Sequence, residues 1–339
     1  MYALIRPLLF KLSPETAHEF TVHGLNFAHQ LKLTSLLFGK MPLAPCTVMG
    51  LDFPNPIGLA AGMDKNAECI DGFGSLGFGF VEVGTVTPRP QNGNPKPRLF
   101  RLPEAQAIIN RMGFNNHGTN RLLQRVQKRK YNGILGINIG KNADTPLENA
   151  VSDYLTSFQK VYSYADYVTI NISSPNTANL RQLQHGEELD VLLNALKHVQ
   201  AQLHKEHNKY VPLVVKISPD LSHNEVADIA NKLLAHHIDG VIATNTTLSR
   251  KGAENLLHSN EKGGLSGAPL TTQSTEVVRQ LKEVLQDKIP IIASGGVMTV
   301  EDVQAKLQAG ANLVQIYTGL IYQGPYFVKQ IVHSLASNN

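Results

Sequence analysis

From residue 53 onward the apolar positions follow one grammar: a short β-branched run ending in Gly, Asn, Thr, Ser or Lys, then a longer stretch with apolar residues at helical spacing. Eight such runs are predicted as strands: 55–61 (NPIGLAA), 80–86 (FVEVGTV), 133–139 (GILGINI), 167–173 (YVTINIS), 212–218 (PLVVKIS), 240–246 (GVIATNT), 290–295 (PIIASG) and 313–319 (LVQIYTG). Runs that are apolar on both faces and alternate with helices indicate a parallel sheet covered on both sides. Eight units across about 280 residues fit a closed α/β barrel, the (β/α)8 or TIM architecture, better than an open doubly wound sheet.

Two excursions interrupt the pattern. Residues 87–132 carry Pro88, Pro90, Pro95 and Pro97, and residues 248–268 end in GGLSGAP. Each follows a strand, so each belongs to the face on which barrels build their sites. The first 40 residues stand apart. Ser13-Pro14 is a helix start, and Ala17, Phe20, Gly24, Phe27, Ala28 and Leu31 then recur at helical spacing. A second short helix from Thr34 or Ser35 carries Leu36, Leu37 and Phe38 up to Gly39. The expected organisation is a helical segment at 1–40 and a barrel at 41–339. The helices either pack on the barrel or present an apolar face (Phe20, Phe27, Leu31, Leu36, Leu37, Phe38) to a membrane interface, flanked by Arg6, Lys11, Lys32 and Lys40.

Composition narrows the class. Hydrophobic residues are 42% and charged residues 17% of the 339, which excludes a disordered or coiled-coil chain. The net charge of +4 comes without any run of five like charges, so no nucleic-acid footprint is expected. Cys46 and Cys69 are too few for a zinc cluster or a disulfide framework and fit a reducing compartment. No apolar run reaches 18 residues, and Arg6, Pro7 and Lys11 break up the first twelve, so neither a span nor a secretory signal is read. Three motif matches are set aside. Gly72-Phe-Gly74-Ser-Leu-Gly77 follows a helix instead of a strand, His18 and His23 are five apart where a zincin helix needs four, and Asn171-Ile-Ser173 lies inside an apolar run.

In a barrel, the strand ends gather Gly62 to Lys65, Thr85, Asn138, Asn171 to Ser174, Lys216, Thr244 to Thr246, Gly295, Gly296, Tyr317 and Thr318 at one mouth. Polar groups with two lysines and no carboxylate cluster suit a planar, carbonyl-rich, neutral-to-anionic ligand and argue against a bound metal. Glycines after strands seven and eight, with Ser266-Gly267 before them, suit a phosphate, which makes flavin mononucleotide (FMN) the natural candidate.

The motifs Asn55-Pro56 through Gly62-Met-Asp-Lys65, Gly84 to Gln91, Asn110-Arg-Met-Gly-Phe-Asn115, Asn171-Ile-Ser-Ser-Pro-Asn176, Val215-Lys-Ile217, Thr244-Asn-Thr246, Gly263 to Gly267 and Val314 to Thr318 resemble the dihydroorotate dehydrogenases. The resemblance is to the class 2, quinone-dependent branch and runs the length of the chain. It implies FMN held by Ala61, Gly62, Met63, Asp64, Lys65, Thr85, Asn138, Asn171, Lys216, Thr244, Gly267, Gly296, Tyr317 and Thr318. It implies dihydroorotate held by Lys65, Asn110, Arg111, Met112, Gly113, Phe114, Asn171, Asn176, Asn245 and Thr246. Asn amides offer both donor and acceptor to a pyrimidine edge, and Lys65 or Arg111 can meet the carboxylate. Ser174 is then the base toward C5 of the substrate, where class 1 relatives carry Cys, and Lys216 stabilises charge on the reduced flavin. His18 and Arg101 would meet a quinone. The implied enzyme is a monomer of pyrimidine biosynthesis, peripheral on the cytoplasmic face of the inner membrane and in contact with anionic lipid. A flavin- or pyrimidine-binding sensor, or a dehydrogenase of another dihydropyrimidine, are the alternatives.

Overall fold

The computed structural model describes residues 2–39 and 41–337; Lys40, expected among the flanking cations, lies outside them. Eight strands, β1 (Ile57–Leu59), β2 (Phe80–Val86), β3 (Ile134–Ile139), β4 (Tyr167–Asn171), β5 (Leu213–Ile217), β6 (Gly240–Ala243), β7 (Ile291–Ser294) and β8 (Leu313–Ile316), close into a parallel barrel. Strand β8 pairs with β1 to complete the circle. Each strand lies inside one predicted run. The runs overshoot mostly at their C-terminal ends, because residues such as Thr244–Thr246 already belong to the mouth.

A hairpin not foreseen from sequence, Cys46–Val48 with Leu51–Phe53, closes the opposite end. Its two turn residues, Met49 (φ 56) and Gly50 (φ 72), are both left-handed, as a tight two-residue hairpin demands. Phe53 meets the Phe80 ring edge-on at 5.3 Å and Phe80 meets Tyr167 at 6.3 Å. With Val214, Ile242, Ile292 and Leu313 these rings fill the barrel floor. The only open end is therefore the mouth.

The two excursions, read separately in the sequence, fold together. Leu99–Leu102 and Ala107–Asn110 form an antiparallel pair, and Gly264–Gly267 adds to its free edge with Gly264 opposite Asn110. The resulting three-stranded sheet stands over one side of the mouth.

At the N-terminus, α1 (Tyr2–Lys11), α2 (Pro14–Gln30) and α3 (Leu33–Phe38) form a helical layer. The Ser13 hydroxyl caps α2 by accepting the Thr16 N–H at 3.3 Å. Helix α1 has no counterpart in the sequence reading, since Pro7 interrupts its pattern. It is pinned by Tyr2, whose hydroxyl donates to the Ile321 carbonyl at 2.5 Å, and by Arg6, which donates to the Tyr322 carbonyl at 2.8 Å. Helix α2 packs on the short helix Ile70–Gly74. A Cβ at Gly72 would lie 3.1 Å from Leu25 Cγ and 2.5 Å from Cys69 Sγ, so this glycine of the nucleotide-like motif serves close packing. Leu4, Leu8, Phe20, Phe27, Leu31, Leu36 and Leu37 face outward. Phe38, expected among them, instead turns inward against Tyr326 at 5.2 Å. Among the described residues no helix is long and apolar enough to cross a membrane.

Candidate active site

The strand-end loops enclose a cavity at the barrel mouth. Ala61, Gly62, Lys65, Thr85, Asn171, Lys216, Thr244, Gly267, Gly296, Tyr317 and Thr318 line it, as do Asn110, Met112, Gly113, Phe114, Ser174, Asn176, Asn245 and Thr246. Four expected residues do not. Met63 points into a second cavity. Asp64 folds back to accept the N–H groups of Glu68 (2.7 Å) and Cys69 (2.8 Å), and burial pushes its carboxyl up to about 6. Asn138 sits one layer below the cavity wall. Arg111 turns outward, because neighbours on an extended chain face opposite ways and Asn110 faces in. Its guanidinium pairs with Glu261 at 2.6 Å and lies over the Phe100 ring at 4.6 Å.

A buried carboxylate organises the floor. Glu82 accepts from Asn138 Nδ2 (2.8 Å), Tyr167 Oη (2.8 Å), Thr169 Oγ1 (3.1 Å) and Gln315 Nε2 (2.7 Å). Asn138 Oδ1 then accepts from the Thr85 hydroxyl at 2.6 Å and from Asn171 Nδ2 at 3.3 Å. Asn171 Oδ1 in turn accepts from Asn245 Nδ2 at 3.3 Å. The asparagines are thus oriented before any ligand arrives.

The loops above are clamped by Arg181. It donates to the Ser173 carbonyl (3.0 Å) and the Thr246 carbonyl (3.0 Å) and pairs with Asp220 at 2.8 Å, joining the loops after β4, β5 and β6. Ser174, in the first of them, is buried, and its Oγ accepts the Asn176 N–H at 3.2 Å. That bond favours negative charge developing on the oxygen. Asn176 is itself held to Asn110 Oδ1 at 3.1 Å.

Charge is arranged to receive an anion. Burial lowers the pKa of Lys216, with Glu82 opposing the shift. Burial, followed by the Arg98 charge, pulls Lys65 down to about 8. The carboxylate closest in influence to Lys65, Glu15, is occupied by Arg98 at 2.8 Å and Lys96 at 3.3 Å. Neither cavity lysine forms an ion pair among the described residues.

Comparison with known proteins agrees with this chemistry. The sequence profile described as dihydroorotate dehydrogenase matches residues 43–338. The chain belongs to the dihydroorotate dehydrogenase family. It is 60% identical over 338 residues, 99% of this chain and 98% of the relative, to the dihydroorotate dehydrogenase (quinone) of Nitrosomonas europaea. It is 57% identical over 335 residues, 99% of each chain, to that of Acinetobacter baylyi. A crystal structure of the Eimeria tenella enzyme in complex with ferulenol superposes with a TM-score of 0.85 at 38% identity, covering 95% of this chain and 90% of that one.

Membership in the dihydroorotate dehydrogenase family brings a flavin cofactor, and the cavity fits one. Gln315 Oε1 is buried in the cavity wall without a partner among the described residues, an acceptor awaiting a donor. Gly295 (φ 99) and Gly296 (φ 68) follow β7 in left-handed conformation. A Cβ at Gly296 would lie 2.3 Å from the Thr271 nitrogen, so glycine lets the turn pack directly on the start of the helix Thr271–Leu285. Ala60, Leu270, Ser294, Val297 and Gln315 complete the wall and went unnamed in the sequence reading. Gln315 alone left a signal, a polar residue inside an apolar run.

A second cavity lies between the helical layer and the barrel, and Tyr317 lines both. Its walls are apolar, including Leu9, Phe10, Val22, Phe38, Met63 and Leu320. His18 and Arg101, with Tyr2, Thr21 and the shared Tyr317, are the polar side chains in its lining. Burial, then the Lys65 charge, lowers His18 to about 4, so it is a neutral imidazole at physiological pH. Arg101 donates to the Phe10 (3.0 Å) and Leu12 (3.1 Å) carbonyls and fixes the end of α1.

Replacing Glu82 with Gln tests the floor. The added amide hydrogens face groups that already donate, so unfolding in urea is expected to show a loss of about 1–3 kcal/mol. An unchanged midpoint and slope would remove Glu82 from this role.

Proposed function

We propose that this chain oxidises dihydroorotate to orotate with FMN and passes the electrons to a quinone taken from the membrane. The observation that carries the reading is the pairing of two cavities through Tyr317: a polar, lysine-bearing one at the barrel mouth and an apolar one under the N-terminal helices. One admits a charged pyrimidine from water. The other admits a tailed quinone from lipid. Both relatives described above carry the quinone designation in their names.

The bound flavin supplies the hydride acceptor. The chain does the rest. Lys65 meets the substrate carboxylate, while Asn110, Asn171, Asn176 and Asn245 read the ring's alternating N–H and C=O groups. Ser174 Oγ takes the proton from C5 as the hydride leaves C6, helped by the Asn176 N–H. Thr177, three residues on, has a buried hydroxyl without a partner among the described residues, and it is the nearest candidate along the chain to pass that proton onward. Lys216 stabilises negative charge on the reduced cofactor. At the other cavity His18, neutral and a donor from one ring nitrogen, and Arg101 hydrogen-bond the quinone carbonyls.

The outward face of α1–α3 makes the membrane contact. Leu4 is 80% exposed, Leu36 81%, Phe20 65% and Phe27 63%, far more apolar surface than a free helical layer ordinarily shows. The enzyme sits peripherally, with this face in the headgroup layer and Lys11 and Lys32 toward anionic lipid.

Three measurements test the reading. Ser174→Ala is expected to slow anaerobic flavin reduction by dihydroorotate about 10²-fold or more while orotate still binds. A wild-type rate would make another residue the base. Orotate affinity is expected to fall as pH rises through about 8, because Lys65 is charged below that value and neutral above it. In Lys65→Met the same titration flattens, and a dependence that persists there belongs to another group. Leu36→Glu with Phe27→Glu, both at exposed positions, is expected to abolish sedimentation with anionic vesicles and to cut turnover of a long-tailed quinone, leaving flavin reduction intact. Full vesicle binding by the double variant would place the membrane contact elsewhere.

A further inference from the structure

Lys306 is the one lysine among the described residues whose side chain is wholly shut from solvent, at 0% exposure, yet it borders neither cavity. It lies in the helix Val300–Gln308 that follows β7. Its ammonium donates to the Ser274 hydroxyl at 2.7 Å and the Thr275 hydroxyl at 3.1 Å. No carboxylate pairs with it among the described residues. Asp302, one turn earlier, is engaged by the N–H groups of Met298 (2.8 Å) and Thr299 (2.9 Å) at the start of the same helix.

The location is unfavourable twice over. Ser274 and Thr275 sit in the opening turns of the helix Thr271–Leu285, where the aligned peptide dipoles present positive charge and a cation is repelled. Desolvation adds to the penalty and draws the Lys306 pKa down to about 8. A buried ammonium at a helix N-terminus calls for negative charge close by; the Asp302 charge reaches Lys306 only from one turn away, without an ion pair, and that carboxylate is already committed to the Met298 and Thr299 N–H groups.

A further anion has a place. The Ser274 hydroxyl that receives Lys306 reaches the Gly295 carbonyl at 2.9 Å, and the Thr271 hydroxyl donates to the Gly296 carbonyl at 2.6 Å. Lys306 is thus two hydrogen bonds from the left-handed glycine turn that opens onto the mouth cavity. We propose that Lys306 is a positioning residue for the cofactor phosphate: it fixes the Gly295–Gly296 turn through Ser274 and supplies, from behind the backbone, the charge that balances a phosphate in front of it. This rests on the FMN reading above. It makes the phosphate, and not the flavin ring, the group that Lys306 recognises.

Riboflavin has the same ring as FMN and no phosphate, so competition between the two separates this role from a general structural one. Holoenzyme is incubated with mixtures of FMN and riboflavin, and the flavins retained after gel filtration are quantified by chromatography. Wild-type protein is expected to retain FMN strongly over riboflavin. Lys306→Met is expected to reduce that preference about tenfold, and Ser274→Ala, which keeps the charge but cuts the link to Gly295, by a smaller factor. A preference unchanged in Lys306→Met, or in Ser274→Ala alone should the first variant not fold, overturns the proposal. Equal loss of both flavins overturns it as well. Wild-type protein without a preference would instead overturn the FMN reading.

Discussion

The polarity of the mouth is dictated by one carboxylate in the barrel interior. Glu82 only accepts hydrogen bonds, so Asn138 must turn its NH2 downward and its oxygen upward. The Thr85 hydroxyl and the Asn171 NH2 are then both committed to that oxygen. Asn171 is left presenting its own oxygen to Asn245. Three amides, any of which could flip in isolation, are set in one orientation by a group that touches no ligand. A buried ion normally costs several kcal/mol, offset here by four donors from β3, β4 and β8. The same charge acts on Lys216, opposing the desolvation that favours its neutral form.

Under the proposed function, the two cavities answer a solubility problem. A dihydropyrimidine carboxylate and a tailed quinone cannot share one entrance, because the first prefers water and the second lipid. The barrel faces polar loops toward one cavity and lends the flank of β1 and β8, through Met63, Tyr317 and Leu320, to the other. Tyr317 belongs to both walls, and burial lifts its phenol to about 12, so it stays neutral between them. The helical layer is therefore more than an attachment: without α1 and α2 the apolar cavity would have no roof.

The barrel was readable because strands buried on both faces are continuous apolar runs, and each run contained its strand. The three-stranded sheet over the mouth was not, since Gly264 pairs with Asn110 across more than 150 residues and no local pattern records that pairing. Most of the mouth residues followed from the strand ends and the family motifs. The misplacements have local causes. Arg111 was displaced by the alternation that brings Asn110 inward, and Met63 and Asp64 by a turn closed through Asp64's own hydrogen bonds. Phe38 and Leu37 adjoin on a short helix, where a one-residue step rotates the side chain from outside to inside. Glu82 and Lys306 escaped notice because a lone charge within an apolar strand or at a helical position looks locally like a solvated one.

Buried charges in this chain divide by what answers them. Lys141 is nearly enclosed and donates to the Asn142 and Thr145 carbonyls at 3.1 and 2.8 Å; Arg98 is held by Glu15 and the Asn92 and Asn94 carbonyls. Their needs are met by the protein, and they tie loops together. Lys65, half-buried, and Lys216 and Lys306, buried, form no ion pair with a carboxylate among the described residues, and each lies in or directly behind the mouth. Three ammonium groups around one cavity, none of them in an ion pair, gain from an anion that fills it. Under the proposed function the three cations serve separate anions: a carboxylate at Lys65, the charge of a reduced ring at Lys216 and a phosphate before Lys306.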